Sequence, residues 1–254
     1  MLGEWIRLDG FRFDLGIALS RGENLSPLDN PPIFEDIECE PELIDIKFIS
    51  EPWDCGGLYK LGDFPSKNTF TWNGHFRDDL RRFWKGDKDT AWNMSDKIKG
   101  TPSIYKEDNI FPKSINFITS HDGFTLKDLV TFNRKHNFAN REQNRDGDNH
   151  NNSWNHGTEG PTTNLLINDL RKRQQKNLIL SLLISKGVPM ILMGDEIGRS
   201  QGGNNNSWCQ NNLLGWMNWE HGQQDLELLE YFKYVIKIRK KLINIFNPAS
   251  FLNK

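Results

Sequence analysis

Three short stretches place carboxylates where strand-like sequence gives way to polar residues: Arg12-Phe13-Asp14 in GFRFDLG, Glu51-Pro52-Trp53 in FISEPWDCGG, and His121-Asp122 in FITSHDGF. Cleavage of a glycosidic bond with retention of configuration needs one ionised carboxylate as nucleophile and one protonated carboxyl as acid, about 5–5.5 Å apart across the bond. Arg12 stands two residues before Asp14, so on a strand both side chains leave the same face and the guanidinium favours an ionised, oriented Asp14. Glu51 is followed by Pro52 and Trp53, an apolar surface that favours the protonated acid. Each stretch also has a plainer reading. Arg-x-Asp is a common structural ion pair, a strand-end Glu can cap a turn, and His-Asp can be a turn. The apolar neighbours of Asp14 predict that it is buried, where a carboxylate is costly unless paired or working.

Four strands are predicted to carry these residues and their like: DGFRFDLG, Ile44 to Glu51, Ser114 to Asp122 and Val188 to Glu196. Helical patterns lie between and after them, in FRDDLRRFWKG, TLKDLVTFNRKHN, LRKRQQKNLILSLLISKG with Gly187 as its C-cap, and DLELLEYFKYVIKIRKKLINIF. In the last of these, Leu226, Leu229, Phe232, Ile236 and Ile243 form the apolar stripe. Alternating strand and helix predicts parallel βα units, in which function gathers at the C-terminal ends of the strands. Asp14, Glu51, Asp122 and Glu196 fall at or near such ends, and the first three are expected to share one face. Asp195 and Glu196 read either as rim residues or as helix caps beside Gly194. Residues 1–254 read as one domain without internal repeats.

Composition narrows the function classes. The 254 residues are 36% hydrophobic and 26% charged with a formal net charge of −2, which gives no broad attraction to nucleic acid or to an anionic membrane. No apolar run approaches a membrane span, and the first residues lack the basic flank and apolar core of a signal peptide, so a cytoplasmic location is expected. Cys39, Cys55 and Cys209 are far apart and odd in number, which predicts reduced thiols and neither a disulfide framework nor a metal centre. DGDNHNNSWNHGTE invites a calcium reading, but with Asp148 and Glu159 as loop ends, Ser153 stands where the tight-turn Gly belongs and His150 where a carboxylate or amide belongs. No cofactor is expected. Trp53, Trp72 and Trp154 fit sugar stacking and core packing equally well, and Asn204 to Asn206 fit glucan hydroxyls or loop architecture.

In this order, GFRFDLG, FISEPWDCGG and FITSHDGF resemble three motifs of glycoside hydrolase family 13, the α-amylase superfamily. EPWDCGGLYKLGDFP, WNGHFRDDLRRFWKGD, SHDGFTLKDLVTFNRKHN, NNSWNHGTEGPT and GDEIGRSQGGNNNSW resemble its isoamylase and glycogen-debranching branch. The resemblance runs through nearly the whole chain. It implies an α/β fold, the C-terminal part of a (β/α)8 TIM barrel. It also implies Asp14 as nucleophile, Glu51 as acid/base, Asp122 as the third carboxylate, which holds hydroxyls of the distorted sugar, and Arg12 and His121 as their substrate-binding companions.

The implied reaction is hydrolysis of α-1,6 branch linkages in glycogen, limit dextrin or amylopectin, in the cytoplasm or, in a plant or alga, the plastid. Against the family pattern, the first barrel strands and the flanking β-domains are missing, including a strand whose His binds the sugar being cleaved. Residues 1–254 alone are therefore expected to be inactive and aggregation-prone, and a separately encoded upstream half is a possible partner. Gly16 replaces an Ala usual in the family, a change expected to be tolerated. The alternatives are another α-glucan hydrolase or transferase of the superfamily, or a non-catalytic glucan-binding product.

Overall fold

The computed structural model describes residues 8–105, 113–220 and 222–246, and the side chains of 223–225 and 243–246 lie outside that description. The opening MLGEWIR and the side chain of Ile243 therefore fall outside it. Among the described residues, five strands alternate with helices: β1 (Gly10–Phe13), α1 (Pro32–Cys39), β2 (Lys47–Ser50), β3 (Thr69–Trp72), α2 (Gly74–Lys85), α3 (Ala91–Ile98), β4 (Ser114–Phe117), α4 (Leu126–Leu129), α5 (Leu165–Ile184), β5 (Val188–Met190) and α6 (Gln223–Phe246). The chain divides into two compact units, residues 1–73 with 101–115, and residues 74–100 with 116–254.

In the first unit β1, β2, β3 and the start of β4 are neighbours in chain order, and all three pairings are parallel. The register is level. Phe13 stands opposite Ser50, and Ser50 opposite Thr71. The next residues along are Asp14, Glu51 and Trp72, so the register alone brings these three to the same height at the strands' C-terminal ends. Small polar side chains fill the strand interior: Asn73 donates to Thr101 Oγ1 (3.0 Å) and Ser114 Oγ (2.9 Å), and Thr71 Oγ1 lies 2.7 Å from the Tyr105 hydroxyl. Burial pushes the Tyr105 phenol up to about 12.

The second unit holds the larger apolar core. Phe76 and Leu80 of α2, Leu178, Ile179, Leu182 and Leu183 of α5, and Leu228, Phe232 and Val235 of α6 close on Ile118, Phe124, Leu126, Leu129 and Phe132. Each fully buried side chain of this size is worth about 1.5–3 kcal/mol. β5 adjoins β4.

The elements differ from the sequence expectation at identifiable places. β3 was not anticipated, because TFTW is a four-residue strand that runs straight into α2. The pattern over 125–137 yields only the single turn α4. After Leu129 the backbone turns to other partners: Trp154 N–H donates to Leu129 O and Gly160 N–H to Thr131 O, both at 3.0 Å. Tertiary bonds override a local helical pattern there. α5 begins before the expected Leu170, because Asn164 caps it, accepting from Leu166 N–H (3.0 Å) and Ile167 N–H (3.4 Å). It ends at Ile184 with Ser185 as C-cap, so Gly187, at φ 119°, turns the chain into β5 instead. On α6 the buried stripe is Leu228, Phe232 and Val235, whereas Leu226 is exposed.

Candidate active site

In the first unit Arg12 is the hinge of the cluster. Its Nη1 donates to Asp14 Oδ1 at 2.5 Å, its Nη2 donates to Glu51 Oε1, and its guanidinium lies 4.4 Å above the centre of the Trp72 ring. One Asp14 carboxylate oxygen and one of Glu51 stand within 4.8 Å of each other. The parallel register explains this. Arg12 and Asp14 share a strand face, Arg12 is opposite Ile49, and Glu51 is two residues beyond Ile49 on the same face.

Burial separates the two carboxylates. Glu51 is 2% exposed, and its second oxygen accepts the Leu15 N–H at 2.7 Å. That N–H is available because the chain turns sharply after β1, with Leu15 in the left-handed region at φ 44°. Asp14 is not buried, contrary to expectation: its side chain is 62% exposed. It stands one residue past the end of β1, a strand that pairs with β2 alone among the described residues, and the apolar run around it lies on a partly open edge. A Cβ on Gly16 would come within 2.0 Å of Ser50 Oγ and 2.8 Å of Phe13 Cβ, so the turn beside Glu51 is built around a glycine.

Two further residues of this unit matter: Trp72, which sequence leaves between sugar stacking and packing, and Asp54, which sequence does not single out. Trp72, at the end of the unanticipated β3, is buried with its face against Arg12, and Trp53 packs against it at 6.4 Å and against Tyr59 at 6.0 Å. Asp54, inside FISEPWDCGG, takes a two-pronged grip from Arg21 (Nε to Oδ2 2.6 Å, Nη2 to Oδ1 3.1 Å) and accepts Leu58 N–H at 3.0 Å. The Arg21 hydrogen bond holds its carboxyl down at about 2. Charge complementarity between RG after the first motif and WD in the second was the available signal.

In the second unit His121 and Asp122 follow β4. Both are exposed, and His121 Nε2 lies 3.6 Å from Asp122 Oδ2. Ser120 Oγ donates to Asp122 O at 2.9 Å, and Gly123 N–H donates to Asn205 O at 2.9 Å. Asn204 and Asn205 are buried and spend their side chains on the loop itself: Asn205 Nδ2 donates to Asp148 O (2.7 Å) and Asn151 Oδ1 (2.8 Å), and Asn204 Nδ2 to Asn140 Oδ1 (2.9 Å). Asn206 Nδ2 donates to Asp146 at 3.0 Å. The three asparagines are loop architecture. Glu159 is likewise occupied, accepting from Asn133 N–H, Arg134 N–H, Asn155 Nδ2 and His136. Burial works against its ionised form, but the Asn133 N–H and the His136 ring outweigh that and bring it down to about 2.

Asp195 is not a rim residue, and the helix end it serves is that of α4 rather than one beside Gly194. It is 3% exposed and accepts from Thr119 Oγ1 and, at 2.9 Å, from Leu126 N–H, while Glu196 accepts the Gly194 N–H at 2.8 Å. Burial pushes Asp195 up to about 7. No helix among the described residues is long and apolar enough to cross a membrane.

No family model matches the chain. Curated relatives do. The chain is 41% identical over 257 residues to Isoamylase 1, chloroplastic, of Oryza sativa subsp. japonica, covering 93% of this chain and 32% of that one. It is 44% identical over 238 residues to the glycogen operon protein GlgX homolog of Mycobacterium tuberculosis (strain ATCC 25618 / H37Rv), covering 92% and 33%. The chain thus spans about a third of the length of the curated relatives it matches. Among solved structures, pullulanase from Bacillus acidopullulyticus aligns with a TM-score of 0.66 at 20% identity over 96% of this chain and 27% of that one. Pullulanase type I from Bacillus subtilis, complexed with maltose, aligns at 0.66 and 21% identity over 94% and 31%. At such identities the structures speak to fold alone, the parallel α/β architecture of part of a (β/α)8 barrel. By sequence, the chain is a part-length relative of isoamylases and of GlgX homologs.

Proposed function

We propose that this chain carries the cleavage chemistry of an α-glucan debranching enzyme, acting on α-1,6 branch linkages of glycogen, limit dextrin or amylopectin. One observation carries the reading: a carboxylate oxygen of Asp14 within 4.8 Å of one of Glu51, bridged by one guanidinium. A retaining pair needs about 5–5.5 Å between its carboxyls, whereas an inverting pair needs room for a water and stands about 6.5–9.5 Å apart.

In this reading exposed Asp14 attacks the anomeric carbon and forms the glycosyl ester. Buried Glu51 protonates the departing oxygen, then takes a proton from the water that hydrolyses the ester. Arg12 orients both carboxylates through one planar group, and Trp72 fixes the plane of that group from below. Asp122 serves as the third carboxylate, with His121 as a further sugar-binding group. Residues 1–254 belong to a single catalytic barrel domain, working where α-glucan is stored, the cytoplasm or, in a plant or alga, the plastid. Because the chain spans a third of its relatives, the assay is run alone and together with a separately expressed polypeptide carrying the barrel strands that relatives have upstream.

The test is covalent. A slow fluorinated α-glucosyl donor is incubated with either preparation, and peptides are mapped by mass spectrometry. An ester on Asp14 is expected. An ester on another carboxylate, or release of product of inverted configuration, refutes the assignment.

A further inference from the structure

Two buried carboxylates of the second unit, Asp128 and Asp195, take no part in the chemistry above. Each accepts hydrogen bonds from the segment that carries the other. Asp195, after β5, accepts Thr119 Oγ1 and Leu126 N–H (2.9 Å). Those two donors mark the beginning and the end of the loop that bears His121 and Asp122. Asp128, on α4 just past that loop, accepts in return from the segment following Asp195: Ser200 Oγ at 2.5 Å, Gln201 N–H at 2.8 Å and Gly203 N–H at 3.3 Å. Between the two clasps Gly123 N–H donates to Asn205 O at 2.9 Å, a third tie close to Asp122.

We infer that Asp195 and Asp128 form a reciprocal clasp that fixes the loop 119–126 and so sets the position of His121 and Asp122. They are positioning residues. The loop's own bonds do not suffice for this: Ser120 Oγ to Asp122 O is local, and both His121 and Asp122 are exposed. Exposed side chains keep a fixed geometry only when the backbone beneath them is fixed, and here its two ends are pinned to one buried carboxylate. The choice of carboxylate follows from geometry. One side chain with two oxygens reaches a hydroxyl at residue 119 and a backbone N–H at residue 126 together, which a leucine or a threonine at position 195 cannot do. That the loop so held serves catalysis rests on the functional reading above; the clasp itself does not.

The 254-residue chain is tested with the His121 imidazole and the Gly123 amide as reporters, read by NMR and by hydrogen exchange, neither of which requires turnover. Asp195→Ala and Thr119→Val are expected to shift the His121 ring signals and to speed Gly123 amide exchange at least about tenfold. Asp195→Asn, which keeps the shape and one acceptor oxygen, should restore most of both. Ser200→Ala, on the Asp128 side, should act in the same direction with a smaller amplitude. A core variant in the same unit with a matched loss of melting temperature, Ile179→Val, should leave the His121 signals in place. If Asp195→Ala does not fold, Thr119→Val and Asp195→Asn carry the test. Unchanged His121 signals and Gly123 exchange in folded Thr119→Val, or equal changes in Ile179→Val, overturn the clasp. Displaced reporters with undiminished debranching, measured in a chain completed to the length of its relatives, would instead count against the functional reading and leave the clasp standing.

Discussion

Glu51 in the first unit and Asp195 in the second are nearly equal in burial and opposite in the company they keep. Glu51 receives a guanidinium and a backbone N–H, whereas Asp195 receives a hydroxyl and a backbone N–H. A directly bonded guanidinium on Glu51 separates the two environments. Asp54 shows what that charge does elsewhere in the first unit, since the Arg21 hydrogen bond holds it down at about 2, while burial lifts Asp195 to about 7 and also lifts Asp128. Asp54, paired with Arg21, is held ionised across the physiological range. A carboxylate held by neutral donors is a structural tie whose proton is close to exchange at neutral pH.

The sharpest way to break this contrast is to neutralise one carboxylate on each side. In a chain completed to the length of its relatives, Asp14→Asn should lower debranching of glycogen at least about a thousandfold while glucan binding persists, because an amide cannot form the ester. Asp195→Asn should lower it less than about tenfold. Initial rates on glycogen and retention on a glucan affinity gel measure both. Comparable losses from the two variants would dissolve the distinction.

Next in size is the removal of each partner. Arg12→Met takes the guanidinium from a buried Glu51 and should cost about 2–3 kcal/mol in urea unfolding, part of it regained by Arg12→Lys. Thr119→Val removes only a neutral donor from Asp195 and should cost about 1 kcal/mol. Equal costs would show that the bonded guanidinium carries no more weight than a hydroxyl.

The pH dependence separates the two classes with opposite signs. Asp195, raised to about 7 in the folded chain, contributes stability that is full below the ordinary carboxylate value of about 4 and is lost as pH rises through 7. Burial is the main cause; Glu196 adds to the rise, Arg199 opposes it, and buried Arg81 also feels the Asp195 charge. Asp54, lowered to about 2, contributes stability that is full above about 4 and is lost as pH falls towards 2. Urea unfolding at pH 5 and pH 8 should therefore show a fall in stability at the higher pH that Asp195→Asn reduces. An unaltered pH difference in that variant would remove the assigned role of burial. The smallest effect belongs to the ring beneath the guanidinium: Trp72→Phe keeps a face for Arg12 and should cost about 0.5 kcal/mol from the cation–π contact, beyond any packing loss.

Much of the first unit was legible because its signals are local. Arg12 and Asp14 are two residues apart on one strand, and Glu51 ends its strand in a motif of its own, so spacing and strand polarity bring them together. The exposure of Asp14 was not legible, since it depends on β1 lying at a sheet edge and not on its apolar neighbours. Trp72 was left open because β3 is four residues long and offers little periodicity. In the second unit the partners of Asp195 lie 69 and 76 residues away. No local pattern encodes such a pairing, and GDE beside a glycine reads naturally as a cap. The one-turn α4 was read as a long helix for a related reason: the carbonyls that would have continued it are claimed by Trp154 and Gly160.

Arg239, on α6, donates to Leu183 O (2.7 Å), Ser185 O (2.8 Å) and Gly187 O (2.5 Å), the carbonyls at the end of α5 and the entry to β5. During synthesis those carbonyls leave the ribosome more than fifty residues before the side chain that satisfies them. Until residue 239 emerges, water must solvate the junction, and β5 cannot settle with its entry turn fully bonded. The strand that delivers Asp195 is thus completed late in translation, and the loop bearing His121 and Asp122, although made much earlier, waits for it.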